Sequence, residues 1–290
     1  MIRVAYETLY ARFTAALRRV GFEPAPAERC AGVFADNSLD GIASHGWNRF
    51  PGFIRNVEDG IVDPHAQPTR LRAAGAWEQW EGHAGPGPLN ALACTDRAIE
   101  LAGSNGMGAV ALRNTNHWMR AGAYGWRAAS AGCAFMCWTN TIPNMPAWGS
   151  AEPVLGNNPF VLAMPGTTPE EPVVLDMAMT QFAFGKLEVL SQSGDKLPVP
   201  GGYDGQGNLT TDPAAILASG RALPIGFWKG SGLSLMLDLF ATVLSEGRST
   251  SEIGRDGIER GVSQVYLAID VGRAGMSQNT SEQVGRVLHD

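Results

Sequence analysis

Met107-Gly108-Ala109-Val110-Ala111-Leu112 is an unbroken apolar run of strand length, the pattern of a strand buried on both faces. Its flanks decide the fold. Upstream, residues 89–102 repeat apolar side chains at helical spacing and close on Gly103 to Gly106. Downstream, the small residues of 121–131 read as helix and Cys133–Thr139 as a second strand. Residues 161–164 and Val173–Met177 are further strands, 180–190 is a helix, and 264–269 is a last strand. A helix over 230–245 sets Leu233, Met236, Leu237, Phe240, Ala241 and Leu244 on one face, expected to be the core face. Alternation of this kind predicts an α/β fold, a sheet covered by helices.

The N-terminal part reads differently. Ala5, Leu9, Phe13, Ala16, Leu17 and Val20 form a helical stripe ending at Gly21, and Cys30, Val33 and Phe34 mark a second helix after Pro24 and Pro26. Residues 1–75 are therefore expected to be a helical region, 76–270 an α/β region opening with a strand over 76–81, and 271–290 a polar, poorly ordered tail. The Gly- and Pro-rich segment 191–212 is too long for a plain connector and is expected to be functional or mobile.

Composition narrows the partners. In 290 residues, 22 Lys and Arg face 28 Asp and Glu, a net charge of -6. That balance argues against nucleic acid or an anionic membrane and for a small metabolite. Residues 1–20 lack the continuous apolar stretch of a secretory signal, and no later run suits a membrane-spanning helix, so the cytoplasm is the expected compartment. Four cysteines make no disulfide framework, and Cys133 and Cys137 read as apolar strand residues. The chain has no G-x-G-x-x-G, no P-loop, no H-E-x-x-H and no G-x-S-x-G string. Its histidines, at 45, 65, 83, 117 and 289, lack paired ligand spacing, so no metal site is expected.

Polar clusters point to the chemistry. In Ser44-His45-Gly46-Trp47-Asn48-Arg49 a group that exchanges protons near neutral pH lies four residues from a forked, permanent cation. That pairing suits reduction of a 2-oxo acid. Phe50, Phe53, Ile54 and Val57 recur at helical spacing with Pro51 in the first turn, so His45 is expected in the turn feeding a helix that starts near Arg49. Asn114-Thr115-Asn116-His117-Trp118-Met119-Arg120 lies where a strand hands over to a helix; it reads equally as a ligand loop or as a capped helix start with Trp118 covering the core. Gly156-Asn157-Asn158-Pro159 is a turn whose amides could face a ligand. Asp176 ends an apolar strand, where a carboxylate needs a partner: His45, a ribose hydroxyl, or the next helix. Lys229 and the amides after it could hold a phosphate at the start of the 230–245 helix.

Taken together, Ser44 to Pro51, Asn116-His117-Trp118-Met119-Arg120 with Gly122, Tyr124-Gly125-Trp126, Gly156 to Pro159, Leu175-Asp176-Met177 and Trp228-Lys229-Gly230-Ser231-Gly232 resemble the malate/L-lactate dehydrogenase family that lacks a Rossmann fold. The second and last strings are the specific ones and are similar to a branch acting on a 2-oxo sugar acid. The resemblance implies a mixed, largely antiparallel seven-stranded sheet, a homodimer, and a reduced nicotinamide, NADH favoured over NADPH, bound extended without the glycine fingerprint. It implies His45 as acid/base, with Ser44, Arg49 and Asp176 in the catalytic set and Asn116, His117, Arg120 and Asn158 toward the substrate. Pro172, Val173, Val174, Leu175, Asp176, Met177, Ala178, Trp228 and Lys229 would contact the cofactor. The family's Gly-His-Glu type segment near the end has no counterpart before Asp290. Reduction of another 2-oxo acid or of a cyclic imino acid, or a non-catalytic dimeric binding role, are the alternative expectations.

Overall fold

The computed structural model describes residues 3–273 and 280–289. The chain opens with α1 (Tyr6–Arg19) and α2 (Pro24–Leu39), then a 3-10 turn at Ala43–His45 and α3 (Phe50–Glu58). Proline stands in the first turn of α2 and of α3, where a missing amide breaks no helical hydrogen bond. The stripe of α1 closes on the other two helices through aromatic rings. Phe13 and Leu17 pack with Phe22, Phe34, Phe50 and Phe53, and the Phe13 and Phe50 rings stack at 4.0 Å.

The sheet follows. β1 (Thr69–Ala74) and β2 (Trp77–Glu81) lead to α4 (Gly87–Asn105), β3 (Met107–Thr115), α5 (Gly122–Ser130) and β4 (Cys133–Thr139). A small hairpin, β5 (Met145–Pro146) and β6 (Pro153–Leu155), precedes β7 (Phe160–Met164) and β8 (Val173–Met177). Then come α6 (Phe184–Ser193), β9 (Gly202–Tyr203), β10 (Leu209–Thr210), α7 (Pro213–Ser219), α8 (Trp228–Ser245), α9 (Thr250–Arg255), β11 (Val262–Asp270) and α10 (Thr280–His289). Among the described residues the main sheet has seven strands in the order β1-β2-β3-β11-β4-β7-β8. Only β2 and β3 run parallel, because α4 is a helical crossover between them. The other five pairings are antiparallel.

Alternation along β3 separates the two layers. Val110 and Leu112 face α4 and α5, where they meet Cys94, Ala98, Tyr124 and Ala128. Ala111, on the other face, meets Ala241 of α8 and Val265 of β11. Cys133 and Cys137 lie in the α4/α5 layer as free thiols.

Several expectations need correction. β1 lies inside the span 1–75 read as helical. The helix expected over 180–190 starts only at Phe184, because the chain before it is held extended: the amides of Gln181 and Ile225 donate to the carbonyls of Leu223 and Met179 at 2.7 and 2.8 Å, and Thr180 bridges Pro224. Segment 191–212 is not all loop: α6 runs on to Ser193 and the β9–β10 hairpin closes 202–210, where Asp204 accepts from the Gln206 and Asn208 amides at 2.9 and 2.8 Å and Gly207 takes a φ of +86°. The tail beyond Asp270 carries α10, with Glu282 in its first turn and Arg286 in its last, charges that match the helix dipole. Residues 274–279 and 290 of that expectation lie outside the described residues. Finally, α8 turns only part of the expected face inward: Leu237, Ala241 and Leu244 meet the core, whereas Leu233, Met236 and Phe240 do not. Ser234, Leu237, Ala241 and Ser245 are buried, while Leu235, Met236, Leu239, Phe240 and Val243 are exposed.

Candidate active site

The turn that carries His45 is pinned by the end of α2. Asn37 Nδ2 donates to the His45 carbonyl at 3.1 Å, and the Trp47 amide donates to Ser38 Oγ at 2.9 Å. Gly46 lies so close to α2 that a Cβ there would stand 2.8 Å from the Ser38 amide nitrogen. Arg49 then occupies the N-cap of α3, as its sequence predicts. Ser44 Oγ lies 3.0 Å from His45 Nδ1 and fixes the ring. From the other side Gly185, in the first turn of α6, leaves room for Ser44; a Cβ there would lie 2.7 Å from Ser44 Cβ.

The loop after β3 brings a second imidazole to the first. Trp118 is buried in the sheet core and Met119, at φ +68°, in the helical core, so adjacent residues anchor the loop in two hydrophobic layers. Between these anchors and β3, His117 stacks on His45 with ring centroids 5.8 Å apart. His117 Nδ1 accepts from the Met119 amide at 3.0 Å, so the neutral ring carries its proton on Nε2. Arg120 pairs with Asp40 at the end of α2 and lies over the Trp126 ring at 5.9 Å.

These cations shape the imidazoles. Burial, then Arg49 and Arg120, lower His45 to about 4. Burial, then Arg49 and His45, hold His117 well below its usual value. Both rings are therefore held in the neutral form at pH 7. Beside them a polar cavity of about 210 Å³ is lined by Arg49, Asn56, Asn116, His117 and Glu259, with Phe53 and Met119 among its apolar walls. Glu259 Oε2 accepts from the Ile142 amide at 3.3 Å, and burial pushes its carboxyl up against the opposing pull of Arg49.

The two segments expected at the cofactor are brought together. β8 is the last strand of the sheet and presents an outer backbone edge unpaired among the described residues. The chain leaving it, 178–181, bonds to 223–225, which leads directly into Trp228 and Lys229. At that junction Thr180 Oγ1 is buried without a hydrogen-bond partner, a polar atom waiting for one. Trp228 and Lys229 are exposed. An unpaired edge, an orphaned hydroxyl and one cation suit an extended dinucleotide. The α8 amides do not contribute as expected: those of Lys229 and Gly230 already donate to the carbonyls of Gly226 and Ile225, which leaves the Lys229 ammonium.

Not every candidate reaches this centre. Asp176 makes no hydrogen bond to His45; its Oδ2 accepts from the Gly122 amide at 2.8 Å and caps α5, with burial raising its carboxyl. Asn116 Nδ2 donates to the carbonyls of Ala84 and Gly85 at 2.7 and 3.1 Å, so it holds the loop, while its Oδ1 stays buried and unpartnered. Asn158 donates to the Ser234 carbonyl at 2.9 Å and ties its turn to α8. Sequence reading missed Asn37, Ser38 and Gly185, which act by position alone, and Glu259, which reads as one charge in a polar loop.

Stacked imidazoles and a guanidinium at a small polar cavity, in a chain without the Rossmann fingerprint, suit proton transfer to a bound carboxylate. The sequence profile of the malate/L-lactate dehydrogenases matches residues 4–290. The 2,3-diketo-L-gulonate reductase of Shigella boydii is 47% identical over 272 residues, 93% of this chain and 81% of that one. Malate dehydrogenase from Entamoeba histolytica superposes with a TM-score of 0.92 at 25% identity, covering 99% and 83% of the two chains. The delta1-piperideine-2-carboxylate reductase of Pseudomonas syringae superposes at 0.89 with 28% identity, covering 100% and 89%. The chain belongs to the malate/L-lactate dehydrogenase family. It is an oxidoreductase that works with a nicotinamide cofactor.

Proposed function

We propose that the chain reduces the C2 carbonyl of 2,3-diketo-L-gulonate to the alcohol of 3-dehydro-L-gulonate. The observation that carries this reading is the stacked His45 and His117 pair with Arg49 at its side, on a chain 47% identical to a reductase of that name. Malate and cyclic imino acid relatives stand at 25% and 28% identity, which ranks their substrates lower. The bound nicotinamide supplies the hydride. Arg49 grips the substrate carboxylate with its planar fork and so holds the carbonyl in line. In the protonated ring Nδ1–H donates to Ser44 Oγ, and His45 delivers its Nε2 proton to the carbonyl oxygen as the alkoxide develops, returning to the neutral imidazole.

His45 needs that proton, and the substrate helps to supply it. A carboxylate on Arg49 offsets the nearest cation that lowers His45, so binding raises the imidazole's affinity for a proton. The segments 172–178 and 226–232 together hold one cation, Lys229; a 2′-phosphate beside a pyrophosphate calls for more, which favours NADH over NADPH. Four free, buried cysteines suit a reducing compartment such as the cytoplasm. The exposed apolar face of α8 suits a homodimer.

The test is the oxidation of NADH, and separately NADPH, on adding 2,3-diketo-L-gulonate, run beside pyruvate, oxaloacetate and a cyclic imino acid. The highest kcat/KM is expected with 2,3-diketo-L-gulonate and NADH. A higher value for any other acid in the panel overturns the substrate assignment.

A further inference from the structure

Resting on the reading of the site as one for a 2-oxo sugar acid, we propose that Glu259 is a specificity residue whose carboxylate accepts hydrogen bonds from hydroxyl groups on the substrate's tail. Glu259 sits in the chain between α9 and β11, far in sequence from the other site residues, and closes the cavity that Arg49 and His117 open. That cavity is too small for a dinucleotide. At about 30 Å³ per water in the liquid, its volume of about 210 Å³ holds roughly seven waters, the scale of a small polyhydroxy acid.

The walls carry charges of both signs, Arg49 and Glu259. Arg49 makes no ion pair within 4.0 Å among the described residues, so its fork is available to a carboxylate. Glu259 uses one oxygen on the Ile142 amide and takes no hydrogen bond at Oε1 among the described residues. A cation and an unmet carboxylate oxygen in the same wall match a molecule with a carboxylate at one end and hydroxyl donors along its tail. A tail without hydroxyls would leave a half-buried carboxylate short of partners, a penalty that selects against it. Glu259 and the substrate's own carboxylate repel, which fixes which end of the molecule meets Arg49.

The test compares wild type, Glu259→Ala and Glu259→Gln on 2,3-diketo-L-gulonate and on pyruvate, a 2-oxo acid with no hydroxylated tail. Losing a hydrogen bond to a charged group corresponds to about 10- to 100-fold. Glu259→Ala is expected to raise KM for 2,3-diketo-L-gulonate by that factor and to leave kcat/KM for pyruvate unchanged or improved, with Glu259→Gln in between because its amide oxygen still accepts. Equal losses on both substrates, or a variant indistinguishable from wild type on both, overturn the proposal while leaving the reductase reading intact. Wild type that reduces pyruvate but not 2,3-diketo-L-gulonate overturns both. If Glu259→Ala fails to fold, the Glu259→Gln ratio of the two substrates decides by the same signs.

Discussion

At the scale of single residues, His45 and Arg49 divide the work. His45→Ala removes the proton donor and leaves the edge of β8 and the Lys229 ammonium in place, so turnover is expected to fall by about 10²–10⁴-fold with NADH binding unchanged in a fluorescence titration. An active His45→Ala enzyme would remove His45 from the mechanism. Arg49→Lys keeps the charge and loses the fork, and is expected to raise KM for the substrate more than it lowers kcat. The imidazole also sets a pH dependence. His45 is lowered to about 4 from an ordinary 6.5, so the unfolded chain takes up its proton first. The stability owed to the neutral ring is therefore complete above about 6.5 and drains away as pH falls toward about 4. His117, lowered by the same causes, adds in the same direction. Melting temperatures at pH 7 and pH 5 should show this loss in wild type and a smaller one in His45→Gln. In kinetics, the apparent pKa read from kcat is expected above that read from kcat/KM, since bound carboxylate raises His45; equal values would mean that Arg49 is not its receptor.

At the scale of elements, the site is a meeting of helix starts and strand ends, and small residues make the meeting possible. Gly122 lets α5 approach Asp176, where a Cβ would stand 2.9 Å from Oδ2, and Gly185 lets α6 approach Ser44. Gly185→Ala is therefore expected to push the His45 turn and cut kcat at least tenfold while the melting temperature changes little; unchanged kcat would free α6 from any role in placing the ring. Much of this was legible in the sequence. The strands at Met107, Cys133 and Val173 and the turn feeding α3 follow from apolar runs and proline placement, and the absence of a glycine fingerprint excluded a standard Rossmann site. Two kinds of feature were not legible. Pairing between 178–181 and 223–225, which delays α6, depends on a chain some forty residues away. The inward face of α8 was read only in part, at Leu237, Ala241 and Leu244, because the helix is apolar on nearly every side and periodicity gives little direction.

At the scale of the whole molecule, that same helix argues for a partner. Leu235, Met236, Leu239, Phe240 and Val243 remain exposed beside Trp228 and Phe227, a contiguous apolar surface that a second copy would cover. With α8 as the proposed interface, wild type is expected to sediment as a dimer and Phe240→Asp as a monomer in analytical ultracentrifugation; a wild type that sediments as a monomer would dismiss the surface as an interface. The sheet itself carries a different lesson. Its middle strand, β11, is the last to emerge from the ribosome, yet it lies between β3 and β4 and hydrogen-bonds to both. Until residue 270 has been synthesised, the two halves of the sheet have no strand to join them, and Ala111, Phe135 and Tyr124 face an unfinished core. Contacts of such sequence separation slow folding and leave strand edges open meanwhile. The nascent chain must therefore stay unaggregated while its first 270 residues are made, a demand for chaperone shelter that a protein with its central strand placed early would not face.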